Sequence, residues 1–198
     1  VVVEVDATNM FLSLDRRFAL ETVAERAPEI LPLLKYLGSP SFVSFFRGAL
    51  KTEASKGINI GSSTASLVAC LVEEGLLEDL NGWCGLKGIT AEIKAFVDNV
   101  FIITSAGRVK EILEQMQALG SGRGLLYELR ESHPHKIHFP FPDCLTRPLK
   151  EWEQEFRGFQ VSAAFNGWPA ERQGIKLAGA EIGSEEYYRW KADAKVEK

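Results

Sequence analysis

Two aspartates stand where a carboxylate can do chemistry. Asp6 closes Val1-Val2-Val3-Glu4-Val5, a β-branched run with one interruption that reads as a strand. Asp98 and Asn99 fall between residues 92–97 and 100–104, two short runs that read as strands joined by a tight hairpin turn, with Phe96 and Phe101 partly buried. Acids that end neighbouring strands present hard oxygen ligands to Mg²⁺, and two such ions can bridge an attacking hydroxyl and a triphosphate. A lone aspartate at such a place is more often a cap or turn residue. The paired reading requires the two carboxylates to lie about 4–7 Å apart, the spacing that two metals impose.

Other reactive side chains are less well placed. His133, His135 and His138, with Cys144, offer a zinc set, but Pro134 breaks the regular spacing that zinc ligands show. Gly120, Gly122 and Gly124 follow a helical stretch, whereas a phosphate-binding loop opens one. Trp83, Trp152, Trp168 and Trp190 are dispersed and suit packing or protein contacts better than base stacking.

The elements that must position these residues follow from hydrophobic period and breakers. Residues 13–26 read as a helix stopped near Pro28, Phe42 to Phe46 as a buried strand, and Lys56-Gly57 as a turn. Residues 63–80 read as a helix with Glu73, Glu74, Glu78 and Asp79 in its last turns, followed by a glycine-rich loop at 81–88. Val109, Ile112, Leu113 and Met116 make an amphipathic helix ending before Gly120. Strands are expected near 125–129, 136–139, 156–161 and 175–177, and Ser184 can cap a last helix. The order implies an α+β fold in one domain over 1–198: an antiparallel sheet with helices on one face.

The chain has 198 residues, 45% hydrophobic and 25% charged, which fits a globular domain with a real core. No apolar run approaches the roughly 18 residues of a membrane span, and the first residues lack a signal peptide's basic flank. Three scattered cysteines argue for a reducing, intracellular setting. The net charge of −4 arises in 61–120, where eight acids face four bases. A basic stripe of the kind that grips phosphates is missing from the sequence pattern.

Five segments resemble, in order, the palm of non-LTR retrotransposon reverse transcriptases of the protist type. Asp6-Ala7-Thr8-Asn9-Met10-Phe11 is similar to that family's first motif, with Arg16 or Arg17 in its arginine place. Gly57-Ile58-Asn59-Ile60-Gly61-Ser62 is similar to the second, and Phe96-Val97-Asp98-Asn99 to the third. Gly124-Leu125 followed by Lys136 is similar to the fourth, and 177–184 to the turn before a final helix. The resemblance implies that Asp6, the Ala7 carbonyl and Asp98 hold Mg²⁺. It also implies that Phe11 gates the ribose and that Gly61 and Lys136 contact the nucleotide.

The departures from the family's pattern set the functional expectation. Asn99 stands where the motif has its second aspartate, Asn59 and Ile60 replace a polar pair, and Met10 replaces a small residue. The fingers and thumb that hold template and primer are largely absent. Two functions follow. One is a non-catalytic palm retained as a structural or binding subunit of a larger assembly, with protein partners favoured over nucleic acid and contact made through a C-terminal tryptophan. The other is an RNA-directed DNA polymerase fragment using Asp6 and Asp98 with Mg²⁺.

Overall fold

The structure, a computed structural model, describes residues 1–37, 42–46, 49–54, 56–58, 64–96, 98–128, 134–140, 144–163, 174–177, 180–183, 185 and 188–189. The fold is α+β with a mostly antiparallel five-stranded sheet. The chain divides into two compact units: Val1–Asp6, Ala91–Val109 and Leu129–Lys198 form one, and Ala7–Thr90 with Lys110–Glu128 form the other.

The first unit is built on β1 (Val2–Asp6), a central strand antiparallel to both its neighbours. On one side lies β5 (Asn99–Thr104), itself paired with β4 (Ala91–Phe96). On the other lies β6 (Lys136–Phe139), which pairs in parallel with β7 (Gln160–Ala163). Alternation decides the faces. Val3, Val5, Val100, Ile102, Ile137 and Phe139 are almost wholly buried, while Glu4, Asp6, Asn99, Phe101, Lys136 and His138 share the opposite, partly open face. A short helix, α6 (Leu149–Glu155), covers the buried face through Trp152, whose ring centroid lies 5.3 Å from that of Phe139. Phe156 stacks on Trp152, and Phe159 meets Phe156 edge-on. Trp152 is therefore a core residue with Arg147 lying 3.7 Å over its ring, which takes the packing role of the two expected for it and leaves it buried from a partner. Trp168 and Trp190 lie outside the described residues. A separate hairpin joins β8 (Gly174–Leu177) and β9 (Ala180–Gly183).

The second unit is mainly helical. The helix expected at 13–26 is α2 (Arg16–Arg26), which starts later because the Asp15 carboxylate accepts a hydrogen bond from the Phe18 N–H and caps it there, and a short α1 (Met10–Ser13) precedes it. A 3₁₀ turn at Pro28–Ile30 leads to α3 (Leu31–Leu37). An antiparallel pair, β2 (Phe42–Phe46) and β3 (Ala49–Ala54), follows. The next helix, α4 (Ala65–Leu86), runs through the stretch expected as a glycine-rich loop. Its buried stripe of Leu76, Leu80 and Cys84 continues at a spacing of one turn past Gly82, so packing overrides glycine's weak helix preference there. The helix α5 (Val109–Ser121) likewise extends through Gly120, where a Cβ would lie 2.4 Å from the Leu125 carbonyl oxygen. The strand expected at 125–129 is absent among its described residues.

Three segments distant in sequence meet within this unit through main-chain bonds. Thr8 N–H donates to the Leu126 carbonyl at 2.7 Å and Asp15 N–H to the Arg123 carbonyl at 3.0 Å. Ile58 N–H donates to the Phe11 carbonyl at 2.7 Å and Gly57 N–H to the Leu14 carbonyl at 2.8 Å. Gly57 and Gly124 sit at φ +80 and +75, and a Cβ on Gly124 would lie 2.2 Å from the Ser13 carbonyl oxygen. Gly124→Ala therefore combines an unfavourable φ with a backbone clash. It should cost at least about 2 kcal/mol of unfolding free energy, measured by urea denaturation. A cost indistinguishable from zero would refute the clamp.

Candidate functional site

The antiparallel register places Asp6 directly opposite Asn99, one residue from Asp98. The hairpin is shifted from the sequence expectation: β4 ends at Phe96, β5 begins at Asn99, and these two residues pair. Asn99 is thus a strand residue and not part of the loop. The shift has a consequence for Phe96, which is 60% exposed and not partly buried as expected, whereas Phe101 is half-buried.

The phase of the ladder is fixed at its far end. The Val1 amino group donates to the Thr104 carbonyl at 2.7 Å, and Thr104 N–H donates to the Val1 carbonyl at 3.1 Å. By alternation, Asp6 and Asn99 form a wide pair, the kind whose side chains approach more closely. At this point the Asn99 amide donates to the Asp98 carboxylate at 3.2 Å. Asn99 is neutral where the resembled motif has a second aspartate, which leaves Asp6 and Asp98 as the carboxylates at this end of the ladder, and the Asn99 N–H engages one of them. A bound N–H donor competes with a metal for the Asp98 oxygens.

The other sequence candidates fall in different places. Ala7 is buried and Phe11 half-buried, both in the helical unit, where the Phe11 carbonyl accepts from Ile58 N–H. Arg16 reaches the carbonyls of Gly57 and Lys56, and burial lowers its pKa. This ties the start of α2 to the segment at 56–57. Gly61 and His133 lie outside the described residues. His135 and His138 are three residues apart along an extended chain and so point to opposite faces. His135 is buried edge-on to Phe159, and among the described residues no three His, Cys, Asp or Glu side chains converge on a metal site.

Lys136, expected at a nucleotide, forms an ion pair with Glu4, Nζ to Oε1 at 2.7 Å across the β1–β6 register. Beside it, His138 Nδ1 lies 2.8 Å from the Ser162 hydroxyl, and its Nε2 is 3.7 Å from the other Glu4 oxygen. The signal for this network was present in Val-Val-Glu-Val-Asp, whose alternation puts Glu4 on the same face as Asp6. A second missed feature lies on α4. Glu73 is buried and accepts a hydrogen bond from the Tyr127 hydroxyl at 3.3 Å. Burial, and then the Glu73 charge, push the Tyr127 phenol far above its ordinary range. Glu74 and Glu78 pair with Arg26, and Asp79 with Arg123. The acidic excess of this stretch is therefore largely answered within its own unit, and is weaker ground for excluding phosphate than the sequence suggested.

No protein-family model matches the chain, and no curated protein sequence matches it.

Two predictions follow from the open face. Asn99→Asp puts like charges directly opposite and should lower stability by about 1 kcal/mol at neutral pH. The paired acids would titrate above their unfolded values. The penalty is thus complete above the raised pKa and disappears as pH falls below the unfolded aspartate value near ~4. Millimolar Mn²⁺ should recover stability in the variant and not in the wild type. Unchanged melting of the variant at neutral pH would show that residue 99 does not face Asp6. The His138 pKa is lowered, first by burial and then by Lys136, against the opposing pull of Glu4. The unfolded chain therefore takes the proton more readily, and stability falls with pH through about 6.5, the unfolded value. His138→Gln should flatten part of that slope in denaturation midpoints taken on either side of it, and an unchanged slope would assign the titration elsewhere.

Proposed function

We propose that this chain is a reverse-transcriptase-like palm without catalytic function, retained as a structural or binding subunit of a larger protein assembly. The observation that carries the reading is the Asp98–Asn99 pair opposite Asp6. Asn99 is neutral where the resembled motif carries a second aspartate, so the pair offers one negative charge fewer to bound metals.

Two further features support the palm part of the reading. The strand and helix order β1–α4–β4–β5–α5–β6, with sheet order β4-β5-β1-β6, is a split βαβ arrangement. In addition, the segments resembling the first, second and fourth motifs are tied together at 8–16, 56–58 and 123–126. Many unrelated functions use a split βαβ sheet, so the site and not the fold carries the functional claim. Among the described residues, no helix is long and apolar enough to cross a membrane. The cysteines, all free, support an intracellular setting.

The same main-chain ties are compatible with the second reading, an RNA-directed DNA polymerase fragment with Mg²⁺ at Asp6 and Asp98, because they bring together the segments resembling the first, second and fourth motifs. Primer extension separates the two. With Mg²⁺, all four nucleotides and a primed RNA template, the chain should give no product, and Asn99→Asp alone should not restore it. Robust extension by the wild type, lost in Asp98→Ala, would establish the polymerase and end the non-catalytic reading.

A further inference from the structure

Among the described residues β4 is an edge strand, with β5 on one side and no strand on the other. Its free side has a definite hydrogen-bonding phase. Val1 and Thr104 exchange both of their main-chain bonds, so the Thr104 N–H and C=O point toward β1 and away from Ala91, its register partner on β4. Alternation then turns the main-chain groups of Ala91, Ile93 and Ala95 outward, and those of Glu92, Lys94 and Phe96 inward to β5. Six main-chain groups along one short strand are thus presented to whatever approaches the edge. Exposed edges of this kind are templates for strand addition.

The side chains choose the occupant. Glu92 and Lys94 are exposed, at 62% and 73% of their side chains, and lie on the same face of the strand. The sequence Ala91-Glu92-Ile93-Lys94-Ala95 is self-complementary when laid antiparallel on a second copy about Ile93. Ile93 then pairs with Ile93 of the other copy and Ala91 with its Ala95, all three residues being those with outward main-chain groups. Glu92 falls opposite the other copy's Lys94, and Lys94 opposite its Glu92. These are wide pairs, where cross-strand charges approach most closely. Backbone phase and charge pattern select the same register independently.

We infer that the β4 edge is a homodimerisation site, joining two copies of this chain by antiparallel β4–β4 pairing into one continuous sheet. The inference does not depend on the palm reading. A contact of six residues per copy is at the low end for a specific interface, so the dimer forms and dissociates with concentration.

Sedimentation velocity on the full chain over a concentration series tests it, with circular dichroism confirming that each variant is folded. Wild type should shift from monomer toward dimer as concentration rises. Glu92→Lys and Lys94→Glu should each place like charges opposite one another and weaken association about tenfold. The double variant Glu92→Lys/Lys94→Glu is again self-complementary and should recover wild-type association. An equimolar mixture of the two single variants should form a heterodimer more strongly than either associates alone. Ala95→Pro, which removes one outward N–H, should also weaken the dimer. A folded wild type that remains monomeric throughout would overturn the inference. So would a dimer that ignores the charge variants, or an edge that accepts only another protein's extended strand.

Discussion

The alternation of Val2 to Asp6 is the constraint on which the rest of the sheet unit depends. As the central strand, β1 hydrogen-bonds on both sides, and its register commits β5 and β6 at once. Val3 and Val5 are fully buried, which forces Glu4 and Asp6 onto the other face. A slip of one residue would bury two carboxylates and expose two valines, so this register is strongly specified. The Glu4–Lys136 ion pair and the Asp6–Asn99 opposition are both consequences of that choice. The chemistry open to the site is thus set largely by where the strand's apolar side must go.

The open face accordingly reads as a row of polar groups already engaged with one another. Lys136 holds Glu4, Ser162 lies at hydrogen-bond distance from His138, and Asn99 donates to Asp98. On the helical unit, Arg26 and Arg123 do the same for the acids of α4. Exposed pairs of this kind contribute little stability each. Their larger effect is to reduce the net charge that an approaching phosphate or metal meets, so formal charge counted along the sequence overstates the field at the surface.

Much of this architecture was legible in the sequence, and the errors have physical causes. The strands β1, β4 and β5 were visible because β-branched residues alternate or cluster between turn residues. The α4 boundary was missed because Gly82 and Gly85 outweighed the one-turn spacing of Leu76, Leu80 and Cys84, and a packed face overrides local preference. The start of α2 was placed three residues early because a capping aspartate looks like an ordinary polar position until its carboxylate is seen accepting from Phe18. The hairpin was misplaced by one residue because Asp98-Asn99 is a good turn pair locally, while the opposition of Asn99 to Asp6 is a non-local fact. Short α6 carried no clear period, so packing and protein contact were both left open for Trp152. The Glu4–Lys136–His138 network spans more than a hundred residues of sequence, beyond the reach of spacing arguments.

The bonds that hold the loop after β1 belong to the main chain: Thr8 to Leu126, Asp15 to Arg123, Ile58 to Phe11, and Gly57 to Leu14. Bonds of this kind are indifferent to which side chains the participating residues carry, apart from the two glycines that let the backbones approach. The path of this loop through space therefore tolerates substitution at nearly every other residue along it.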